Sequence, residues 1–503
     1  MKFRLALLAA VTASLSACGG GDNSPVACAS FVTAYLNTSD TGPVSLTKTQ
    51  LVAAAGTMPE YCRIEGTMSP ETGSSIKFAT NIPTNWNGRF LMLGNGGYAG
   101  GPLPAAGADV AAGYATAVTD TGHTAANDAT VFFNNRPVEV DYGYRGVHLT
   151  TVVSKQILKR IGGKDPEFSY FNGCSTGGRQ ALMSAQRYPA DFDGIVAGAP
   201  AHKLTGLAVE QNWSLRQFQQ NGFSGNIFGK VSLLANAVKA ACADAEGIIA
   251  KPGSCNFDPA TLQCPAGTDT ASCLTAPQVA AVKAVYGGPR SSTGISWYPG
   301  KPVGSEASWG AWLVADATDP AKWAPLQGGF GFSFVGNLFF EVDPPSTYKW
   351  TDFNFDVDPP KGQFMAGILN ATDPDLTNFN ARKGKLLMYH GMGDGLIGYQ
   401  PTLEYYQQVQ ARFGESTTSS FARMFLVPGM DHCDYFDRGG LSVADWLGPL
   451  VNWVEKGTAP DSVPGKSRAT NPLSFTRPVC AYPKTATYKG TGDRKDAANW
   501  ACQ

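Results

Sequence analysis

Ser175 stands between Gly173 and Gly177 in the run Gly-Cys-Ser-Thr-Gly, and a hydroxyl carried on a tight glycine turn suits nucleophilic catalysis. Glycine two residues to either side lets neighbouring backbones close around the serine, and a helix starting just after it favours negative charge nearby. A serine hydroxyl is a weak nucleophile until an imidazole takes its proton and a carboxylate fixes the tautomer of that imidazole. Two later loops supply those partners. Asp394 lies in His-Gly-Met-Gly-Asp after one apolar run, and His432 lies in Pro-Gly-Met-Asp-His after another. The chemistry expected of Ser175, Asp394 and His432 is acyl transfer to serine followed by hydrolysis. Asp431 and Asp434 are rival carboxylates, but adjacency to His432 sets them badly for its outer nitrogen. His123, His148, His202 and His390 all precede Asp394 and are expected to be hydrogen-bonded structural groups.

The elements that must hold these residues alternate strand, loop and helix, which predicts an α/β sheet. Strands are expected at 89–93, 114–118, 168–171, 194–196, 385–389 and 424–427, and helices at 147–161, 178–188, 401–413 and 442–456. From about 201 to 381 the alternation is lost, and this stretch is expected to be an inserted second domain.

The chain has 503 residues, 39 of them basic and 40 acidic, and 16% are charged against a usual share of about 25%. Nothing in that balance neutralises a phosphate backbone, so nucleic acid is not an expected partner. Residues 1–18 read as an export signal with Lys2 and Arg4 before an apolar run, ending Leu-Ser-Ala-Cys like a bacterial lipobox. Cys18 is therefore expected to carry a lipid, the alternative being an ordinary signal that ends in a cysteine by chance. That anchor is the only membrane contact expected, on an exported monomer that is an outer-membrane lipoprotein, periplasmic or extracellular.

Ten cysteines remain in an oxidising compartment, and disulfides are the default there. Spacing does not fix their connectivity. Cys242 with Cys255, Cys264 with Cys273 and Cys480 with Cys502 are natural local pairs, and Cys28 with Cys62 is a further option. Cys174 and Cys433 are left over, and they flank Ser175 and His432.

Taken together, these residues resemble the tannase and feruloyl esterase family of α/β-hydrolases, to which a terephthalate monoester hydrolase also belongs. The likeness is carried by Cys174-Ser175, Asp394 and His432-Cys433, and by 94–101 (GNGGYAGG), 119–123 (TDTGH), 141–151 (DYGYRGVHLTT), 172–179 (NGCSTGGR) and 387–397 (LMYHGMGDGLI). It implies an α/β-hydrolase core at 19–200 and 382–503, with a large lid domain inserted at 201–381. It implies an oxyanion hole of Thr176 and Gly97, the five disulfides above, small aromatic ester substrates and no required cofactor. Gly94-x-Gly96-x-x-Ala99 superficially matches a dinucleotide fingerprint, but Pro102 and Pro104 leave little room for the crossover helix that NAD binding needs. Relatives often bind calcium in the lid. Here the candidate ligands are Asp244, Glu246 and Ile248, and two carboxylates are few for an ion that takes six to eight oxygens.

Substrate preference turns on charge. A terephthalate monoester presents a carboxylate that calls for an arginine fork, and the lid holds only Arg216 and Arg290, with Lys301, Lys322 and Lys349 as point charges. Trp309, Trp312, Phe332, Phe334, Phe339 and Phe340 offer faces for a neutral ring or simply core packing. The expectation is a feruloyl-esterase-like preference for neutral aromatic esters, with terephthalate monoester or tannin hydrolysis as the alternatives within the family. From another class, the alternative is a non-catalytic carbohydrate-binding lipoprotein.

Overall fold

The computed structural model describes residues 25–124, 129–223, 227–313 and 326–503, so the expected leader, Cys18 and Lys322 lie outside the described residues. At the centre is a nine-stranded mixed sheet. It comprises β1 (Val44–Val52), β2 (Tyr61–Met68), β3 (Ile76–Pro83), β4 (Arg89–Leu93), β5 (Ala115–Thr119), β6 (Phe168–Cys174), β7 (Gly194–Gly198), β8 (Lys385–Gly391) and β9 (Ala422–Val427). Their spatial order is β1-β2-β3-β5-β4-β6-β7-β8-β9. The first three are antiparallel, β3 meets β5 antiparallel, and all pairs from β5 onward are parallel.

Successive side chains of a strand point to opposite faces, and both faces of this sheet are covered. Phe90 and Met92 of β4 and Leu386 and Met388 of β8 enter one core, while Leu91 and Leu387 enter the other. Helix α1 (Gly146–Gly162) packs Val153, Ile157 and Leu158 on the first face and ends at Gly163, whose φ of 76° needs no Cβ. The helix Leu447–Lys456 packs Leu450 and Trp453 on the second. Fully burying each such side chain contributes roughly 1.5–3 kcal/mol.

Two expectations are corrected. The helix expected over 442–456 starts only at Leu447, because Leu441–Ser442 pairs with Lys466 and Ser467 in a small three-stranded sheet. Val443 and Trp446 gave the helical spacing, yet they are buried without the helix, Trp446 stacked on Tyr389 at 4.2 Å. The strands β1 to β3 were unanticipated, since polar residues interrupt their apolar pattern. Arg63 of β2 is buried, and it is satisfied sideways by Glu65 at 2.5 Å and Asn81 at 3.0 Å.

Between β7 and β8 the regular elements among the described residues are helices joined by long loops, and none is a strand of the sheet. Helix α2 (Thr176–Arg187) follows β6, and helix α3 (Leu204–Gln220) opens the segment after β7. One apolar cluster, with Phe218, Val282 and Trp309, belongs to the segment itself. Another joins Leu204, Phe334 and Leu338 to Tyr98, Tyr142 and Leu396 of the sheet's loops. Lys301 and Glu210 form a buried ion pair at 2.7 Å between two parts of the segment, and Lys301 also donates to the Leu396 carbonyl at 2.8 Å. Among the described residues five disulfides are formed: Cys28–Cys62, Cys174–Cys433, Cys242–Cys255, Cys264–Cys273 and Cys480–Cys502.

Candidate active site

Ser175 sits at the turn from β6 into α2 with φ 65° and ψ −121°, a region that a side chain rarely adopts. Its N–H donates to the Gly198 carbonyl at 2.9 Å, and its carbonyl accepts from Arg179 and Ala201 at 3.0 and 3.1 Å. The glycines are sterically required: a Cβ on Gly173 would lie 2.7 Å from the Gly177 carbonyl carbon. Thr176 is the first residue of α2, where a backbone N–H has no acceptor within the helix. Its hydroxyl donates to the Gly97 carbonyl, which ties the glycine loop after β4 to the turn that carries Ser175.

Asp394 and His432 come from the loops after β8 and β9. Asp394 Oδ2 lies 2.7 Å from His432 Nδ1, and Asp394 Oδ1 accepts the N–H groups of Leu396 and Ile397 at 2.9 and 2.8 Å. Burial works to raise this carboxyl, but the imidazoles of His432 and His390 outweigh it and hold it below the usual carboxylate range. His390 lies closer to the site than its sequence position suggested. Its Nε2 is 3.3 Å from Asp394 Oδ2 and 2.9 Å from the Ile397 carbonyl, and Nδ1 meets Thr402 Oγ1 at 2.9 Å. The rival Asp431 accepts from the His432 backbone N–H at 2.7 Å and the Trp312 indole at 3.3 Å. Burial and the neighbouring Asp394 charge push its carboxyl up to about 6. Asp434 is engaged by Ser442 and Arg468.

Ser175, Thr176, Gly97 and His432 line a cavity of about 620 Å³. Tyr98, Tyr142, Leu204, Gln211, Trp312, Phe330 and Phe334 supply much of its wall, and no Asp, Glu, Lys or Arg among the described residues lines it. Of the aromatic candidates, Trp312 and Phe334 reach the cavity. Trp309 is sealed in the segment's own cluster, Phe332 stacks on Trp350 at 4.1 Å, and Phe339 and Phe340 pack against Phe353. Arg216 and Arg290 line a separate surface hollow, donating to the carbonyls of Phe353 at 2.6 Å and Gly287 at 2.7 Å. Tyr98, Tyr142, Phe330 and Gln211 were not foreseen. Tyr142 lies in a π-helical turn, Asp141–Arg145, and fully buried Arg179 holds that turn by donating to the carbonyls of Tyr142 and Gly143 at 3.0 and 2.8 Å.

Asp244, Glu246 and Ile248 do not fit a calcium ion. Arg477 binds Asp244 Oδ2 at 2.9 Å and Glu246 Oε2 at 2.5 Å, and Arg494 binds Glu246 Oε1 at 2.6 Å. Asp244 Oδ1 accepts the N–H groups of Glu246 and Ile248, and the Ile248 carbonyl accepts from Asp244. The oxygens that a cation would need are held by N–H donors, two of them guanidinium groups.

The family model described as tannase and feruloyl esterase matches residues 62–503. A mono(2-hydroxyethyl) terephthalate hydrolase of Piscinibacter sakaiensis is 34% identical over 90% of this chain and 86% of its own. A probable feruloyl esterase B-1 of Aspergillus oryzae is 32% identical over 88% and 84%. The crystal structure of feruloyl esterase B from Aspergillus oryzae matches with a TM-score of 0.82 and 28% identity over 95% of this chain and 99% of that one. The tannin acyl hydrolase of Aspergillus niger shares the fold, with a TM-score of 0.72 at 19% identity over 92% and 90%.

Proposed function

The chain belongs to the tannase and feruloyl esterase family and is a carboxylic ester hydrolase, and from that premise we propose that it cleaves esters of aromatic acids through Ser175, His432 and Asp394. One observation carries this reading: a buried carboxylate 2.7 Å from the ring of a histidine that lines the same aromatic cavity as a serine held at positive φ. The Ser175 hydroxyl attacks the ester carbonyl while His432 Nε2 takes its proton. The tetrahedral oxyanion forms against the backbone N–H groups of Thr176 and Gly97. His432 then returns the proton to the leaving alcohol, a water repeats the attack on the acyl-serine, and the free acid departs. Asp394 keeps the Nδ1 proton in place and stabilises the imidazolium.

In this reading 201–381 is a lid inserted in an α/β-hydrolase core made of 19–200 and 382–503. The neutral aromatic wall favours a neutral ring over a terephthalate monoester, whose carboxylate would be buried without a cation. Catalysis requires no cofactor. The five disulfides support export, and among the described residues no helix is long and apolar enough to cross a membrane. Removal of 1–18 with lipid attachment at Cys18 is part of the proposal, and loss of palmitate labelling in Cys18→Ser tests it. The non-catalytic reading is not favoured, because the matched relatives bear hydrolase and esterase names. Ser175→Ala on methyl ferulate tests the mechanism: turnover is expected to fall at least a thousandfold with the unfolding temperature retained. A variant keeping a tenth of the parent's activity would show that another group is the nucleophile.

A further inference from the structure

Helix α3 lays Leu204, Leu207, Ala208 and Gln211 along the cavity wall. Their spacing of i, i+3, i+4 and i+7 puts them on one helical face. Three are apolar. The fourth is a primary amide, 4% exposed, whose side chain gives and takes no hydrogen bond among the described residues. Its polar neighbours on the helix do not line the cavity: Glu210 is paired with Lys301 and accepts from Ser214 at 2.6 Å, and Asn212 donates to the Trp350 carbonyl at 3.1 Å, its Oδ1 left without a partner. Buried polar groups are ordinarily satisfied, so an amide left open toward a binding cavity is one whose partner arrives with the ligand.

We propose that Gln211 selects the acyl group by taking the phenolic hydroxyl at the far end of a hydroxycinnamoyl ring, an inference that rests on Ser175 being the attacking group. The length assigned to the acyl group is part of the proposal and follows the run of the helix. Its entry is joined to the serine turn, where the Ala201 N–H donates to the Ser175 carbonyl at 3.1 Å, and the seven residues from Leu204 to Gln211 advance about 10 Å along the axis. A hydroxycinnamoyl group carries a two-carbon spacer between carbonyl and ring and reaches farther than a hydroxybenzoyl group. Oε1 accepts the phenolic O–H, and Nε2 donates to the phenolic oxygen. Tyr98, Tyr142, Phe330 and Phe334 flank the ring. The pair is neutral on both sides, so no charge has to be desolvated.

The test compares kcat/KM for methyl 4-hydroxycinnamate and methyl cinnamate in the parent protein, Gln211→Leu and Gln211→Met. The parent is expected to favour the hydroxylated ester at least tenfold, and both variants to bring the ratio to within about threefold of one. Each ratio is taken on a single preparation, so any loss of folded protein cancels. A parent ratio near one, or a ratio that survives both substitutions, overturns the role of Gln211 while leaving hydrolysis by Ser175 intact. A larger ratio for the corresponding benzoate pair overturns the length assignment. Ester turnover that Ser175→Ala does not reduce overturns the mechanism and this inference together.

Discussion

Cys174 and Cys433 are joined by a disulfide with their Cα atoms 6.0 Å apart, and each is the sequence neighbour of a cavity residue, Ser175 in one case and His432 in the other. Two loops from different strands are thereby bound covalently at the point where a proton would pass between their side chains.

Removing that link is expected to act on rate as well as stability. The bond joins residues 259 apart in sequence, which chain entropy converts to about 5.5 kcal/mol, against about 3.5 kcal/mol for Cys480–Cys502 with its separation of 22. The double variant Cys174→Ala/Cys433→Ala should therefore lose kcat and melting temperature together, while Cys480→Ala/Cys502→Ala should lose melting temperature alone. Equal effects on kcat in the two would remove the positioning role.

Asp394→Asn is expected to lower kcat by about three to four orders of magnitude, because an amide no longer favours the Nδ1–H tautomer of His432. KM should change far less. A drop of under tenfold would mean that Asp431 or another group can orient the imidazole.

Lys301→Met leaves the Glu210 carboxylate without its cation inside the segment that lines part of the cavity. Breaking a buried pair from one side costs about 3–5 kcal/mol, so the single variant should melt well below the parent. Adding Glu210→Gln should recover part of the loss. No difference between the single and double variants would show that the pair is not coupled.

The pH dependence follows from Asp431. Its carboxyl is raised from 3.8 to about 6, so between those values the folded chain binds more protons than the unfolded one, and stability falls as pH rises through that window. The full cost, about 3 kcal/mol, is felt above pH 6. Melting curves should show Asp431→Asn gaining on the parent from about pH 4 to about pH 7. A gap that narrows over that range would contradict the assignment.

On substrate charge, kcat/KM should favour neutral hydroxycinnamate esters over the terephthalate monoester. A preference of tenfold or more for the monoester, about 1.4 kcal/mol of transition-state binding, would require a cation on the cavity wall that the described residues do not supply.

The parallel half of the sheet was readable because both of its faces are buried, so β4, β6, β8 and β9 appear as apolar runs ended by loops bearing the proposed catalytic residues. The antiparallel half was not. In β2 the charges of Arg63 and Glu65 are neutralised by neighbours across and along the sheet, and sequence order carries no trace of that pairing. The site shows the same division. Ser175, Asp394 and His432 follow strands and announce themselves by residue type and order. Gln211 lies mid-helix among ordinary polar residues, and its place on the cavity wall distinguishes it from Asn212, which donates to the Trp350 carbonyl and does not line the cavity. Tyr142 likewise needed the Arg179 clamp to be visible.

The arginines at Glu246 change who supplies the counter-ion. A guanidinium tethered to the backbone is present at one equivalent per molecule whatever the medium contains, so neither dialysis nor a chelator can withdraw it, and it stays charged at every working pH. Arg477 lies in the strand Thr476–Cys480 and Arg494 follows it, so the carboxylates of Asp244 and Glu246 are neutralised by residues 231 to 248 positions further along the chain. A chain cut short before Arg477 would carry Asp244 and Glu246 with neither guanidinium to neutralise them.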